Sequence, residues 1–363
     1  MRVSVAVPAY NEERNIGELL DSLRAQRTKR ARIVEIVVIA SGCTDRTAEI
    51  VRARAARPGV PVRLIEEPER RGKVHAINTY LRVCHPSVDA ICVCSADLLI
   101  TREVVERLVQ CLLINRDVGM CGGRPMPTNG HDTFTGEATR FLWHMHHRVA
   151  LEAPKLGELV MVRADLLRSL PTESAVDEAS IEQMVTQAGY RLAYVPEAIV
   201  HNHGPETVRE FVRQRRRIAA GHLWLRRASG YSVATMNVGR IIRLTLAELL
   251  ETKDTRRVAY SLGTIGLEAI SRGLGWFDFQ VNPDKHTIWK AVPSTKQVLT
   301  DEVRARYEQD GERVFTSPQL GDLAIGELGE LRARPDLGAG ELPVELTSLE
   351  REHPVAAQRR TGT

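Results

Sequence analysis

The 363-residue chain is 43% hydrophobic and 26% charged, with 50 basic against 46 acidic side chains and a formal net charge of +4. These proportions are those of a soluble globular protein and exclude wholesale disorder, a collagen-like chain and a multi-span membrane protein. The basic excess is too small and too dispersed for a dedicated nucleic-acid binder.

The first half alternates between two hydrophobic periods. Residues 3–7 (VSVAV) read as a buried strand, and Ile16, Leu19, Leu20 and Leu23 then mark one face of a helix. A second strand spans 35–39, followed by a helix that Asp45 can cap. VRLIE at 62–66 is a third strand, and Val74, Ile77 and Leu81 mark another helix. DAICVC at 89–94 is a fourth strand, Thr101 can cap the next helix, and VGMCGG at 118–123 is a further strand. Past residue 124 the pattern is mixed: helix 136–152, strand 157–162, helix 179–188, strand 191–195, and a basic helix over about 205–229. Residues 231–275 read as amphipathic helices. Beyond about 300 the chain is rich in Gly, Pro and Glu, which predicts a poorly ordered tail. Buried strands alternating with helices predict an α/β fold with a mostly parallel sheet covered on both faces, and chemistry in the loops at the strands' carboxyl ends.

Six cysteines (Cys43, Cys84, Cys92, Cys94, Cys111 and Cys121) contain no CxxC pair. They suit reduced core residues of a cytosolic protein better than a zinc ribbon or disulfide scaffold. The opening MRVSVAVPAYNEE lacks a signal-peptide pattern. No run approaches the roughly 18 apolar residues of a spanning helix. The expected location is cytoplasmic, with peripheral contact at the cytoplasmic membrane face left open.

The loops carry the functional signals. Pro8-Ala9-Tyr10-Asn11-Glu12-Glu13 follows the first strand where a dinucleotide-binding fold would have GxGxxG. Tyr10 could stack on a base and Glu12 could accept hydrogen bonds, or the acidic pair could simply suit a helix start. Gly42, after the second strand, permits a tight turn. Arg70-Arg71-Gly72-Lys73 opens the third helix, which suits a phosphate or a solvated charge cluster. Asp97 ends the fourth strand's loop, where a carboxylate binds a cation or caps a turn. Asp177-Glu178 opens a later helix, either as dipole-complementing residues or as a general base. Gln214-Arg215-Arg216-Arg217 lies in the basic helix, able to grip phosphates or to form a basic face. Among the histidines, His144, His146, His147, His201 and His203 read as structural or acceptor-lining, and His222 stands one turn past the arginine run.

In order and spacing, the pieces VAVPAYNEERNI, EIVVIASGCTDRT, RRGKVHAIN, SADLLIT, VDEASIEQMVTQAGYRLAYVPEAIVH and QRRRI resemble the family 2 glycosyltransferases of the GT-A fold over about residues 1–225. The resemblance implies an inverting, metal-dependent (Mg²⁺ or Mn²⁺) transfer of sugar from a nucleotide-diphosphate donor, UDP-sugar first, to a small-molecule, glycan or lipid-linked acceptor. It places Pro8, Tyr10, Glu12, Ser41, Lys73, Ser95, Ala96, Gln214 and Arg217 around the donor and Asp97 at the metal. It makes Glu178 the base, with Asp177 the alternative, and sets Arg216 and His222 on the acceptor or diphosphate side. The chain departs from the family pattern at Ala40-Ser41, where two aspartates are common, at Ser95 in place of the first DxD aspartate, in the reversed carboxylate pair, and at Ile218 in place of a tryptophan. The alternatives are a non-catalytic nucleotide-sugar binding protein and a nucleotidyltransferase of the same fold.

The implied organisation is a GT-A domain over 1–229, a helical extension over 230–299 and a tail over 300–363. The extension is read as helices packed on the catalytic domain, with an acceptor- or membrane-facing surface as the other reading.

Overall fold

A computed structural model of the protein describes residues 1–281 and 292–296, all within one compact unit, Met1–Val314. The tail expected over 300–363 lies outside the described residues.

The first half folds in the expected alternation: β1 (Arg2–Ala9), α1 (Ile16–Arg24), β2 (Arg32–Ser41), α2 (Thr47–Ala55), β3 (Val62–Glu67), α3 (Lys73–Val83) and β4 (Ala90–Cys94). β5 (Leu99–Ile100), α4 (Val104–Ile114), β6 (Val118–Pro127), α5 (Phe134–Glu152), β7 (Leu159–Arg163), α6 (Asp177–Gln187) and β8 (Arg191–Asn202) follow. Three helices come next, α7 (Val208–Ser229), α8 (Val238–Glu251) and α9 (Thr255–Val281), and a short 3-10 turn spans Pro293–Lys296.

The strands form one sheet in the order β3-β2-β1-β4-β7-β6-β8-β5. β1, β2, β3 and β4 run parallel, as do β6 and β8, whereas β7 is antiparallel to both β4 and β6. This is the mostly parallel GT-A-type sheet expected from the sequence, with an antiparallel strand in its middle. β5, two residues long and antiparallel to β8, is too short to leave a periodic signal. β8 extends to Asn202 through Pro196, with a register shift against β6.

Period-2 alternation sends side chains to two cores. Val3, Val5 and Val7 of β1 pack with Leu19, Leu20 and Leu23 of α1 on one face. Ala6 of β1 and Val37 and Ile39 of β2 pack with Val74, Ile77 and Tyr80 of α3 on the other. Coverage on both faces explains why these strands are apolar throughout.

Two expected caps turn out differently. The Asp45 carboxylate accepts from the Thr47 backbone N–H at 3.0 Å, at the start of α2, and also from the Glu13 N–H at 3.0 Å, tying α1 to α2. The Thr101 hydroxyl donates instead to the Ile199 carbonyl of β8 at 3.0 Å. The first turn of α4 is served by Gln26, whose Oε1 accepts from the Val105 N–H at 3.1 Å.

Candidate active site

The carboxyl ends of β1, β2 and β4 and the amino ends of α3 and α6 surround a cavity of about 490 Å³. Pro8, Tyr10, Glu12, Ser41, Lys73, Ser95, Ala96, Asp97, Asp177, Glu178, Gln214, Arg217 and His222 all line it. Arg216 does not, because its guanidinium is paired with Asp278 of α9.

Each position follows from the local backbone. Gly42 at the end of β2 has φ +62°, and a Cβ there would lie 2.5 Å from the Arg70 amide nitrogen, so only glycine lets the loop before α3 close in. That close approach sets Arg70 over the Tyr10 ring, its guanidinium carbon 3.8 Å from the centroid. The Ser41 hydroxyl is engaged by Glu67, to which it donates at 2.6 Å. Lys73 begins α3 and reaches across the cavity to the start of α6. Its ammonium donates to Glu178 Oε1 at 2.7 Å and Ser95 Oγ at 3.2 Å, and lies 2.9 Å from Asp177 Oδ2.

The electrostatics separate the two carboxylates of α6. Burial alone would lower the Lys73 ammonium, but Asp177 and then Glu178 outweigh it and hold it well above its ordinary value. Burial would raise Glu178, yet the charge and hydrogen bond of Lys73 pull it down to about 2. Burial and repulsion from Glu178 push Asp177 up to about 6. Asp177 Oδ2 is buried, and the Lys73 ammonium, 2.9 Å away, is its ion-pair partner. Burial pulls down the Arg217 guanidinium, against the charges of Asp177, Glu178 and Glu158.

Three cavity residues had no motif to announce them. Glu158 precedes β7 with φ +62°, a left-handed backbone uncommon for a residue other than glycine. Burial, then repulsion from Asp97 and Glu178, pushes its carboxyl up to about 8. Lys296, far along the chain, donates to the Asn11 carbonyl and Glu12 Oε1 at 2.7 Å each, and to the Tyr10 carbonyl. Glu12 is pushed up to about 7 by burial and by Asp97, against Lys296. Glu268 of α9 receives both arms of Arg215, at 2.7 and 2.8 Å, and Arg272 at 2.8 Å.

Asp97 fits a hard cation. It faces the cavity, burial raises its carboxyl, and no side chain among the described residues donates a hydrogen bond to it. Among the described residues no three acidic, histidine or cysteine side chains group closely enough to enclose a metal. A cation here would therefore share its ligands with a bound phosphate, the manner in which Mg²⁺ is usually held.

The sequence matches the family model described as "Glycosyl transferase family 2" over residues 4–163, and that described as "Glycosyl transferase family group 2" over residues 90–271, half of the chain. The chain belongs to the family 2 glycosyltransferases. It is 35% identical over 108 residues to an undecaprenyl-phosphate 4-deoxy-4-formamido-L-arabinose transferase of Edwardsiella ictaluri (strain 93-146), covering 30% of this chain and 33% of that protein. It is 24% identical over 242 residues to the protein named "Probable glycosyltransferase YdaM" of Bacillus subtilis (strain 168), covering 62% of this chain and 56% of the relative. The chain thus spans between a third and just over half the length of these curated relatives. Among solved structures, a mannosyltransferase from Pyrobaculum calidifontis in complex with GDP-Man and Mn²⁺ superposes with TM-score 0.49 at 21% identity, over 90% of this chain and 86% of that one. Glucosyl-3-phosphoglycerate synthase from Mycobacterium tuberculosis, in complex with Mn²⁺, UDP and glucosyl-3-phosphoglycerate, gives 0.44 at 22%, over 63% and 80%.

Proposed function

We propose that this chain moves a sugar from a nucleotide-diphosphate donor, a UDP-sugar first, to an acceptor oxygen with inversion at the anomeric carbon. The observation that carries this reading is the convergence on one cavity of Tyr10 and Glu12, Asp97, and the Lys73-bridged pair Asp177–Glu178, supplied by loops far apart in sequence. It has the parts of a displacement: an aromatic platform for a base, a place for charge on the leaving group, and carboxylates for a proton.

In the proposed step the acceptor oxygen forms a bond to the anomeric carbon while the bond from that carbon to the diphosphate oxygen breaks. The nucleoside diphosphate leaves with the electron pair, and the acceptor proton passes to a carboxylate. Asp177, at about 6, is the stronger base of the pair. Glu178, at about 2, holds Lys73 in place. This departs from the expectation that Glu178 is the base, because an ion-paired carboxylate has little affinity for a proton. A bound Mg²⁺ or Mn²⁺ at Asp97 would neutralise charge building on the leaving diphosphate. Lys73 and Arg217 add fixed positive charge on the same cavity wall.

Thermal unfolding with nucleoside diphosphates and Mn²⁺ tests the donor half. A ligand at 100 times its dissociation constant adds roughly 2.7 kcal/mol. A stabilisation that needs both nucleotide and metal is expected, and the absence of any shift across the panel would reject the reading.

A further inference from the structure

The strand ends bring acids to the cavity; the helices that wall it bring bases. On α7, Arg215, Ile218 and His222 stand at i, i+3 and i+7, one face of the helix, and on α9 Glu268 and Arg272 stand at i and i+4. All five line the cavity, with His146 of α5 and Lys155 just after it.

The charges in this group do not balance. Glu268 is one carboxylate between two guanidiniums: it accepts from both arms of Arg215, at 2.7 and 2.8 Å, and from Nε of Arg272 at 2.8 Å. Lys155 donates to the Leu156 carbonyl at 2.6 Å, and its ammonium lies 3.5 Å from Glu182 Oε1. That carboxylate is shared in turn with the Leu156 N–H at 2.7 Å and the Tyr231 hydroxyl at 3.1 Å. Three cations thus divide two carboxylates. Beside them Nδ1 of His146 is buried and has no hydrogen-bond partner among the described residues. Burial, then Lys155, His147 and Arg215, pushes this imidazole down to about 3. Burial, then Lys155, Arg215 and Arg272, does the same to His222. Both rings are therefore neutral next to fixed positive charge.

A buried nitrogen without a partner and cations short of counter-charge both cost free energy until a ligand meets them. An oxyanion meets both: a guanidinium offers its oxygens a planar fork of N–H donors, and a neutral imidazole offers one more. The neighbouring wall is apolar, made by Phe141 and Met145 of α5 with Ile241 of α8 and Ile265 of α9. A few polar groups set in an apolar wall fix a ligand's orientation by its polar end.

We propose that this part of the cavity is a subsite for an oxyanion, a phosphate or a carboxylate, carried on an apolar body, and that this is the charged end of the acceptor. Assigning the ligand to the acceptor rests on the transferase reading; the anion subsite itself does not.

Ligand-observed NMR titration of the full chain without nucleotide tests it, with phenyl phosphate, benzoate and neutral benzyl alcohol as probes. At least one of the two anions should bind about tenfold tighter than benzyl alcohol or better, and the tighter of the two names the group the acceptor carries. Arg272→Gln and, separately, His146→Phe should weaken that anion several-fold and leave benzyl alcohol binding unchanged, which a misfolded variant would not do. Arg272→Lys, which keeps the charge, should recover most of the loss. Equal binding of all three probes, or variants that bind the anion undiminished, would overturn the proposal. So would displacement of the anion by a nucleoside diphosphate with Mn²⁺, because the positive charge would then serve the donor. Failure of the wild type to release nucleoside diphosphate from any donor, with anion binding intact, would count against the transferase reading alone.

Discussion

Asp177 and Glu178 are adjacent residues in one cavity that share Lys73 yet shift in opposite directions, Asp177 raised by burial and by repulsion from Glu178, and Glu178 lowered chiefly by Lys73. This predicts a split between two isosteric variants. Asp177→Asn should cost about 10²–10⁴-fold in kcat, the usual worth of a general base. Glu178→Gln should act mainly by freeing Lys73, with a larger effect on donor KM than on kcat. Steady-state kinetics of both decides, and a kcat collapse confined to Glu178→Gln would reverse the assignment. Glu158 gives a second test. Its folded-state carboxyl stands at about 8 against an ordinary 4.5. A raised acid stabilises the fold below its unfolded value and loses that contribution as pH climbs through the folded one. Glu158→Gln keeps an acceptor for the Asn202 side chain, which reaches Glu158 at 3.4 Å. The variant should melt with the wild type near pH 5 and above it near pH 9, in chelator. Parallel melting curves at both pH values would show that Glu158 is not held neutral.

At the scale of elements, α9 depends on a contact that only glycine allows. Gly275→Ala puts a methyl 2.5 Å from the Arg216 carbonyl oxygen and 2.8 Å from the Ala219 Cβ. Overpacking of this kind costs about 1–3 kcal/mol. The melting temperature should fall by several degrees, while Gly273→Ala, with open space around its Cβ inside the same helix, should hold or slightly raise it; equal effects would argue against the close α7–α9 packing. The strands and helices of the first half were legible in the sequence because strands buried on both faces and one-sided helices each carry an unmistakable period. The donor-side loops were legible because parallel strands deliver them at carboxyl ends, so Tyr10, Lys73 and Asp97 stood where a reader would look. Glu158 was not, for the same reason inverted: β7 runs antiparallel, so it is the strand's beginning that faces the cleft. Lys296 was illegible because no local pattern shows that residue 296 returns to the loop at residues 10–12. Arg216 sat in a run of arginines, and helical geometry, not composition, turned it toward Asp278. The outward apolar face of α9 was half legible, since its charges broke up the hydrophobic run without showing that two of them, Glu268 and Asp278, turn inward to Arg215 and Arg216 of α7.

Over the whole molecule, a cavity holding this many buried carboxylates makes sense when cations come to them. Glu12, Asp97, Glu158 and Asp177 are all raised, burial first among the causes. Burial thus disfavours charge on these acids, a cost that a bound cation, bridging them to the phosphates of a donor, would offset. The most direct measurement is nucleoside-diphosphate release from a panel of nucleotide sugars by the purified chain and by Asp97→Asn, each with Mn²⁺. Release by the wild type, reduced at least ~10²-fold in the variant, is predicted from the worth of one charge-stabilising group in a dry site. No release from any donor, or equal release by Asp97→Asn, would contradict it.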